Sequence, residues 1–163
     1  MKQKVILDKI CDKSQLAKKI ALWRFLGRKI IFTNGCFDVL HAGHTHLLNT
    51  AADLVDHGVL IIGLNSDASV SRLKGEKRPV NSLIDRATVL ASLYAVSAVI
   101  EFTEDTPAQL IENIKPDILV KGGDYQVEDI AGADFVIAHG GRVEIIPFLK
   151  GYSTTEILQK GSK

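Results

Sequence analysis

The sequence has few cysteines, no excess of either charge and no long hydrophobic run. Two cysteines, Cys11 and Cys36, in 163 residues are too few for a disulfide framework and indicate a reduced protein. A net charge of +1 argues against a dedicated nucleic-acid or membrane-surface binder, which would carry a basic excess. The apolar stretch after Lys4 ends at Asp8, too early for a signal peptide, and no run approaches the ~20 residues of a membrane span. We expect a cytoplasmic protein with small-molecule partners, no nucleic acid and no membrane.

The chain does contain a regular alternation of short apolar segments and helical patterns. Strands are predicted at five segments: 29–34, 59–64, 98–102, 117–121 and 143–148. Helices are predicted at 12–27, from about Leu47 to Gly58, at 82–96, from residue 106 onward, near 133–139 and from residue 153 onward. This order predicts an α/β fold, a single Rossmann-like domain with a mostly parallel five-stranded sheet flanked by helices. Residues 1–28 would form an N-terminal helical extension and 29–163 the α/β domain.

Four polar or glycine-rich loops follow predicted strands. Ligands of open parallel sheets bind outside the carboxyl ends of the strands, so these loops should meet at one rim. Their convergence is the expected architecture of a nucleotide site. The four segments are NGCFDVLHAGH (34–44), NSDASVSRLKGEKRPVN (65–81), KGGDY (121–125) and KGYSTTE (150–156).

The first loop leads into a cluster of three of the five histidines, His41, His44 and His46. His41 and His44 are spaced to lie on one side of a helix start, where free N–H groups favour an anion. Gly43 between them leaves room for a ligand to approach the backbone. Zinc would need three or four convergent ligands, and the His-Glu-x-x-His spacing of a metalloprotease is lacking. We favour phosphate contacts for His41 and His44, with structural or metal-binding roles as alternatives, and leave His46 out of the site.

Other charged residues near this rim each have a functional and a structural interpretation. A carboxylate would repel a bare phosphate, so Asp38 is expected to orient a histidine or a metal ion, or else to serve a turn. The basic segment 72–78 could fold over phosphates as a mobile clamp, or it could be a solvated surface. We expect Arg86 to reach the same anion. Asp124, after two glycines, could accept hydrogen bonds from ribose hydroxyls.

Taken together, the motifs resemble the HxGH nucleotidyltransferases. GCFDVLHAGH is similar to the first motif of that superfamily, and GYSTTEI is similar to its last. The four loops most resemble the D-glycero-β-D-manno-heptose 1-phosphate adenylyltransferases, over about residues 29–160. Glycerol-3-phosphate cytidylyltransferases carry an arginine shortly before the last motif, whereas residues 147–150 here contain none. Because 28 residues cannot hold the sugar kinase that precedes this domain in many relatives, a stand-alone form is expected.

The resemblance implies that ATP and heptose 1-phosphate give ADP-heptose and pyrophosphate, with Mg²⁺ bridging the phosphates, for lipopolysaccharide or surface-glycan precursors. It implies catalytic roles for His41, His44, Lys74 and Arg86. It implies nucleotide-binding roles for Asn34, Gly35, Cys36, Phe37, Gly43, Lys121, Gly122, Asp124, Ser153, Thr154 and Thr155. It implies substrate-binding roles for Asp38, Asn65 and Asp67, with Asp38 also a candidate Mg²⁺ ligand.

Three alternative functions stay open, and so does the oligomeric state. The chain could be a cytidylyltransferase acting on glycerol 3-phosphate or another small phosphate, a nucleotide-binding module without turnover, or a zinc hydrolase. Cys36 is expected to be a small residue that fits a tight loop and not a catalytic thiol. The N-terminal helix with Trp23 and Phe25 either packs on its own domain or joins two subunits in a homodimer, which we favour.

Overall fold

A parallel sheet of six strands with helices on both faces forms the framework of the protein. The computed structural model describes residues 2–149, 151, 152, 154 and 157. The strands are β1 (Ile10–Cys11), β2 (Ile30–Gly35), β3 (Val59–Asn65), β4 (Val96–Phe102), β5 (Ile118–Gly122) and β6 (Arg142–Ile146). Their order across the sheet is β1-β4-β3-β2-β5-β6, and all neighbours are parallel. The predicted α/β class is confirmed, with six strands instead of five.

The additional strand, β1, lies within the segment that the sequence suggested was wholly helical. Ile10 pairs with Val99 and Cys11 with Ile100 at the edge of the sheet. A strand of two residues is too short to produce an alternating pattern, so periodicity could not reveal it. The boundary near residue 28 stays a prediction, although Ile10 and Cys11 belong to the same sheet as the rest of the chain.

Seven helices surround the sheet in the described part of the chain. They are α1 (Lys2–Leu7), α2 (Lys13–Phe25), α3 (Ala42–Ala52), α4 (Asp67–Lys74), α5 (Leu83–Ser92), α6 (Ala108–Ile114) and α7 (Ala133–Ala138), with a 3-10 turn at Val127–Asp129. Asp12 caps α2 in a capping box with Gln15, and Ser82 caps α5, as their sequence signals predicted. Helices α1 and α4 were not predicted, and the helix predicted from Ser153 lies largely outside the described residues.

The core has two layers, one on each face of the sheet. Ile30 and Phe32 of β2 point to the layer covered by α2, α6 and α7, whereas Ile31 points to the layer under α3 and α5. All seven residues of β3 are buried, which explains why its sequence shows no polar alternation. Each fully buried aliphatic side chain of this kind contributes roughly 1.5–3 kcal/mol relative to exposure.

The chain reverses direction across the sheet beside β2. From β2 it builds β3 and β4 on one side, and then crosses through α6 to β5 and β6 on the other. Loops that leave β2 and β5 therefore diverge to opposite faces, and a crevice opens between them at the carboxyl edge. No helix in the described ranges is both long and apolar enough to cross a bilayer. The homodimer stays a prediction.

Candidate active site

A cleft of about 570 Å³ lies at the carboxyl edge of the sheet, where the crevice is expected. The predicted site residues that line it are Asn34, Gly35, Cys36, Phe37, Asp38, His44, Asn65, Lys74, Lys121, Gly122 and Thr154. Five other predicted residues, His41, Gly43, Asp67, Arg86 and Asp124, are not part of its lining. Ser153 and Thr155 lie outside the described residues. The convergence of loops from β2, β3 and β5 agrees with the sequence analysis.

His41 and His44 stack on one another at the start of α3. Their ring centroids are 3.9 Å apart with an angle of 26° between the planes. His41 is the N-cap residue, and its Nδ1 accepts a hydrogen bond of 3.1 Å from the Gly43 N–H. A neutral ring that accepts at Nδ1 carries its proton on Nε2. The structure therefore shows His41 as the capping residue of α3, and its role as a ligand donor stays a prediction.

His44 is a neutral ring in the free protein. Burial, together with the charge of His41 when protonated, lowers the pKa of His44 to about 4. Its Nδ1 is buried without a hydrogen-bond partner among the described residues, and Phe37 packs edge-on at 5.2 Å between centroids. This leaves Nε2 as the nitrogen available to a ligand in the cleft, and at neutral pH it offers a directed N–H or a lone pair.

Lys74, Arg78 and Lys121 supply positive charge to the cleft. Lys74 and Arg78 come from the segment after β3, and Lys121 comes from the end of β5. Burial lowers the pKa of Lys121, whose Nζ lies 5.5 Å from the centroid of the Tyr125 ring. Within the described part of the chain Lys121 has no carboxylate partner. An anion in the cleft would therefore find cations on both of its sides.

Asp38 is not free to bind a ligand, although it borders the cleft. Its carboxylate accepts hydrogen bonds from the Val80 N–H at 2.8 Å and the Asn81 N–H at 2.9 Å, and it pairs with Arg78. Its side chain is only 1% exposed, and the donors from Val80, Asn81 and Arg78 hold its pKa below the usual range despite burial. The predicted role in substrate or metal binding is therefore not supported by the geometry, because the oxygens face the 78–81 segment.

Arg86 also departs from its predicted role. Its side chain is 0% exposed, and it donates to the backbone carbonyls of Cys36, Asn65 and Asn81 and to the carboxylate of Asp67. Four N–H donors of the guanidinium are thus already engaged by acceptors of the protein itself. The geometry therefore does not support Arg86 as a phosphate ligand. Asp67 pairs with Arg86 at 2.7 Å but its side chain is 48% exposed, so its role as a substrate ligand stays a prediction.

Sequence reasoning missed an aromatic pair beside the glycines after β5. A Cβ on Gly123 would come within 2.8 Å of Phe148 and 3.2 Å of Tyr125. Both rings line the cleft, and they are 68% and 44% exposed. Gly123 also has φ +121°, a conformation that favours glycine. The glycines therefore leave space for two aromatic rings, a feature that the KGGDY segment alone could not reveal.

The described residues do not offer a built site for a metal ion. Mg²⁺ is commonly held by one or two carboxylates together with substrate phosphates. Across residues 2–149 and the few described beyond them, no three His, Cys, Asp or Glu side chains group to hold a cation. The Asp38 carboxylate already accepts from Val80, Asn81 and Arg78. The cleft therefore fits a cation carried by phosphates better than one held by the protein.

Comparison with known proteins agrees with this geometry. Residues 32–160 match the model of the cytidylyltransferase-like family. The chain is 50% identical over 153 residues to Bifunctional protein HldE of Marinomonas sp. (strain MWYL1), covering 94% of this chain and 32% of that protein. It is 55% identical over 149 residues to Bifunctional protein HldE of Proteus mirabilis (strain HI4320), covering 91% and 31%. The chain spans about a third of the length of these curated relatives.

Two solved structures share the fold. The lipopolysaccharide core biosynthesis protein from Thermoplasma volcanium GSS1 superposes with a TM-score of 0.58 at 26% identity, covering 77% of this chain and 98% of that one. Pantoate-beta-alanine ligase from Francisella tularensis, complexed with beta-gamma ATP and beta-alanine, gives a TM-score of 0.63 at 18% identity. That match covers 94% of this chain and 76% of the ligase, and at this identity it supports the fold alone.

Proposed function

Because the chain belongs to the cytidylyltransferase-like family of nucleotidyltransferases, we propose that it joins AMP from ATP to a heptose 1-phosphate, giving ADP-heptose and pyrophosphate. The observation that carries this proposal is the cleft itself, which His44 lines together with cations that follow β3 and β5, the strands on either side of β2. The likeness of all four loops to the heptose 1-phosphate adenylyltransferases supports the choice of ATP and of the acceptor. The product would serve lipopolysaccharide or surface-glycan synthesis.

The proposed reaction needs positioning and charge stabilisation more than acid–base chemistry. An oxygen of the sugar phosphate would attack the α-phosphorus of ATP in line and displace pyrophosphate. A phosphate nucleophile is already ionised at neutral pH, so no general base is required. This agrees with a cleft in which His44, whose pKa is lowered to about 4, is a neutral ring at neutral pH. His44 and His41 would donate N–H bonds to oxygens whose negative charge grows in the transition state.

The cationic side chains of the cleft would contact substrate phosphates from two opposite sides. Burial lowers the pKa of Lys121, which has no carboxylate partner among the described residues, and an anion beside it would stabilise its charged form. Lys74 and Arg78 would hold phosphate oxygens from the opposite side. Thr154 borders the same cleft and would add a hydroxyl donor.

The nucleoside would lie over the glycines that follow β5. Gly122 and Gly123 allow a close approach to the backbone, and Tyr125 and Phe148 present exposed rings beside them. Flat aromatic faces favour stacking with a base. Asp124, which the resemblance implies as a nucleotide ligand, stays a prediction.

Mg²⁺ is proposed to enter with ATP. A divalent cation would neutralise phosphate charge. The chain's own contribution would be the N–H and ammonium donors already described.

One assay tests the proposal. Purified protein is incubated with ATP or CTP and with heptose 1-phosphate or glycerol 3-phosphate, and pyrophosphate release is measured. We expect release only with ATP and heptose 1-phosphate. Release with CTP and glycerol 3-phosphate would identify a cytidylyltransferase, and ATP binding without release for any acceptor would identify a binding module. Stoichiometric zinc, with activity that chelator removes and magnesium does not restore, would identify a zinc enzyme.

A further inference from the structure

We propose that Asp38, Asn81 and Arg86 form one hydrogen-bonded joint that positions the cationic segment 74–78 against the cleft, and that none of them binds phosphate or metal. These are positioning residues, since they act through Lys74 and Arg78. The kinetic part of this inference rests on the proposed nucleotidyl transfer. The structural part does not, because it concerns hydrogen bonds within the free protein.

Arg86 is the first half of the joint. It lies on α5 and connects the end of β2 through the Cys36 carbonyl at 2.6 Å with the end of β3 through the Asn65 carbonyl at 2.9 Å. The same guanidinium binds Asp67, the first residue of α4, and the carbonyl of Asn81 at 3.1 Å. The buried Arg86 side chain is thus hydrogen-bonded to residues at the ends of β2 and β3, to the first residue of α4, and to Asn81 in the segment that follows α4.

Asp38 is the second half. Its two oxygens accept the backbone N–H groups of Val80 and Asn81, and its own carbonyl accepts a 2.6 Å bond from the Asn81 side-chain amide. Asn81 therefore contributes its N–H and its side chain to Asp38, and its carbonyl to Arg86. The three residues join the loop before the histidines to the segment after Lys74.

The joint limits how far the cationic segment can move. Residues 78–81 are held by Asp38, and α4 is held at Asp67. The Arg78 carbonyl accepts a 2.5 Å bond from Ser71, and its N–H donates to the Gly75 carbonyl at 3.0 Å. Residues 75–77 make no hydrogen bond to Asp38, Asn81 or Arg86, so under this proposal any movement of the segment is confined to this short turn.

Amide hydrogen exchange tests the joint without any substrate. Asp38→Asn keeps the shape of the side chain, and we expect exchange at Val80 and Asn81 to become about tenfold faster, as for loss of a hydrogen bond. Asp117→Asn is the matched control, because Asp117 also accepts a backbone N–H, that of Ile30, and pairs with Lys29 at the other end of the sheet. It should accelerate exchange at Ile30 and leave Val80 and Asn81 unchanged.

Kinetics then separate positioning from direct binding. Asp38→Asn and Arg86→Lys should each lower kcat about tenfold or more, because small displacements of catalytic groups are costly. The Mg²⁺ concentration for half-maximal rate should stay the same, and KM for ATP should change less than kcat. Arg24→Lys is the control for Arg86→Lys, since Arg24 also donates to two backbone carbonyls, at 2.8 Å, far from the cleft.

Two results would overturn the inference. A raised Mg²⁺ requirement in Asp38→Asn with unchanged exchange at Val80 and Asn81 would make Asp38 a metal ligand. A raised KM for ATP in Arg86→Lys with unchanged exchange would make Arg86 a phosphate ligand. If Asp38→Asn fails to fold, Asn81→Ala at an exposed position must show the faster exchange at Val80. Absence of pyrophosphate release from the unaltered protein would refute the proposed function alone, since the exchange result stands separately.

Discussion

His44 is expected to make the free energy of unfolding depend on pH below 6.5. In the folded protein its pKa is lowered to about 4, whereas the unfolded chain restores a value of about 6.5. Between these values the unfolded chain binds a proton that the folded protein does not, so acidification favours unfolding. The stabilisation is complete above pH 6.5, declines as the pH falls towards 4, and changes no further below that.

The size of the effect follows from the same two pKa values. A lowering of the His44 pKa from 6.5 to about 4 corresponds to roughly 3 kcal/mol of unfolding free energy if solvent screening is ignored. The ring keeps partial solvent contact, so we expect about 2 kcal/mol after screening. In a protein of this length that loss lowers the unfolding temperature by about 4–8 °C.

Urea unfolding at pH 7.5 and pH 4.5 measures this contribution. His44→Asn removes the titrating ring and keeps a polar side chain of similar reach, and His46→Asn at an exposed position is the control. The unaltered protein and the His46 variant should lose about 1.5 kcal/mol more than His44→Asn between the two pH values, because part of the contribution is lost only below pH 4.5. Equal losses in all three proteins would refute the burial of a neutral His44.

Three further predictions concern the cleft. His44→Ala should lower turnover by about 10²–10³ with the fold intact, and a near-normal rate of pyrophosphate release would remove its catalytic role. Lys74→Ala should slow release with triphosphate substrates, and an unchanged rate would make this lysine a solvated surface residue. Gly123→Ala should destabilise the protein by about 1–3 kcal/mol and weaken ATP binding, because its Cβ would enter the Phe148 ring at φ +121°. Gly140→Ala, at φ +81° with open space around it, should show the backbone cost without the loss of ATP binding.

Sequence reasoning located the cleft well but misjudged the direction of some charged side chains. His44, Lys74 and Lys121 line the cleft as their loops suggested. Arg86 was expected to reach the same anion because it lies one turn into α5 near the basic segment. Its partners instead include Cys36, 50 residues earlier in the chain, and a contact of this separation leaves no trace in local periodicity.

The aromatic pair illustrates the same limit in a different way. Two adjacent glycines in KGGDY indicated either a tight turn or a close approach of a ligand to the backbone, and the sequence alone is consistent with both. Only the position of Phe148, which follows a different strand, shows that the space beside Gly123 is filled by rings. A turn signal reports the backbone conformation of its own residues and not the side chains that another segment brings beside it.

The sequence by itself determined the α/β class, five of the six strands, and the edge of the sheet at which the functional loops meet. Apolar runs and capping residues determine secondary structure over a few positions, so they can be recognised without knowing which other segments pack against them. Tertiary structure decided the edge strand at Ile10, the inward direction of Arg86 and Asp38, and the low pKa of His44. Each depends on groups brought together from distant segments, where burial and hydrogen-bond partners, and not residue type, set the direction of a charge.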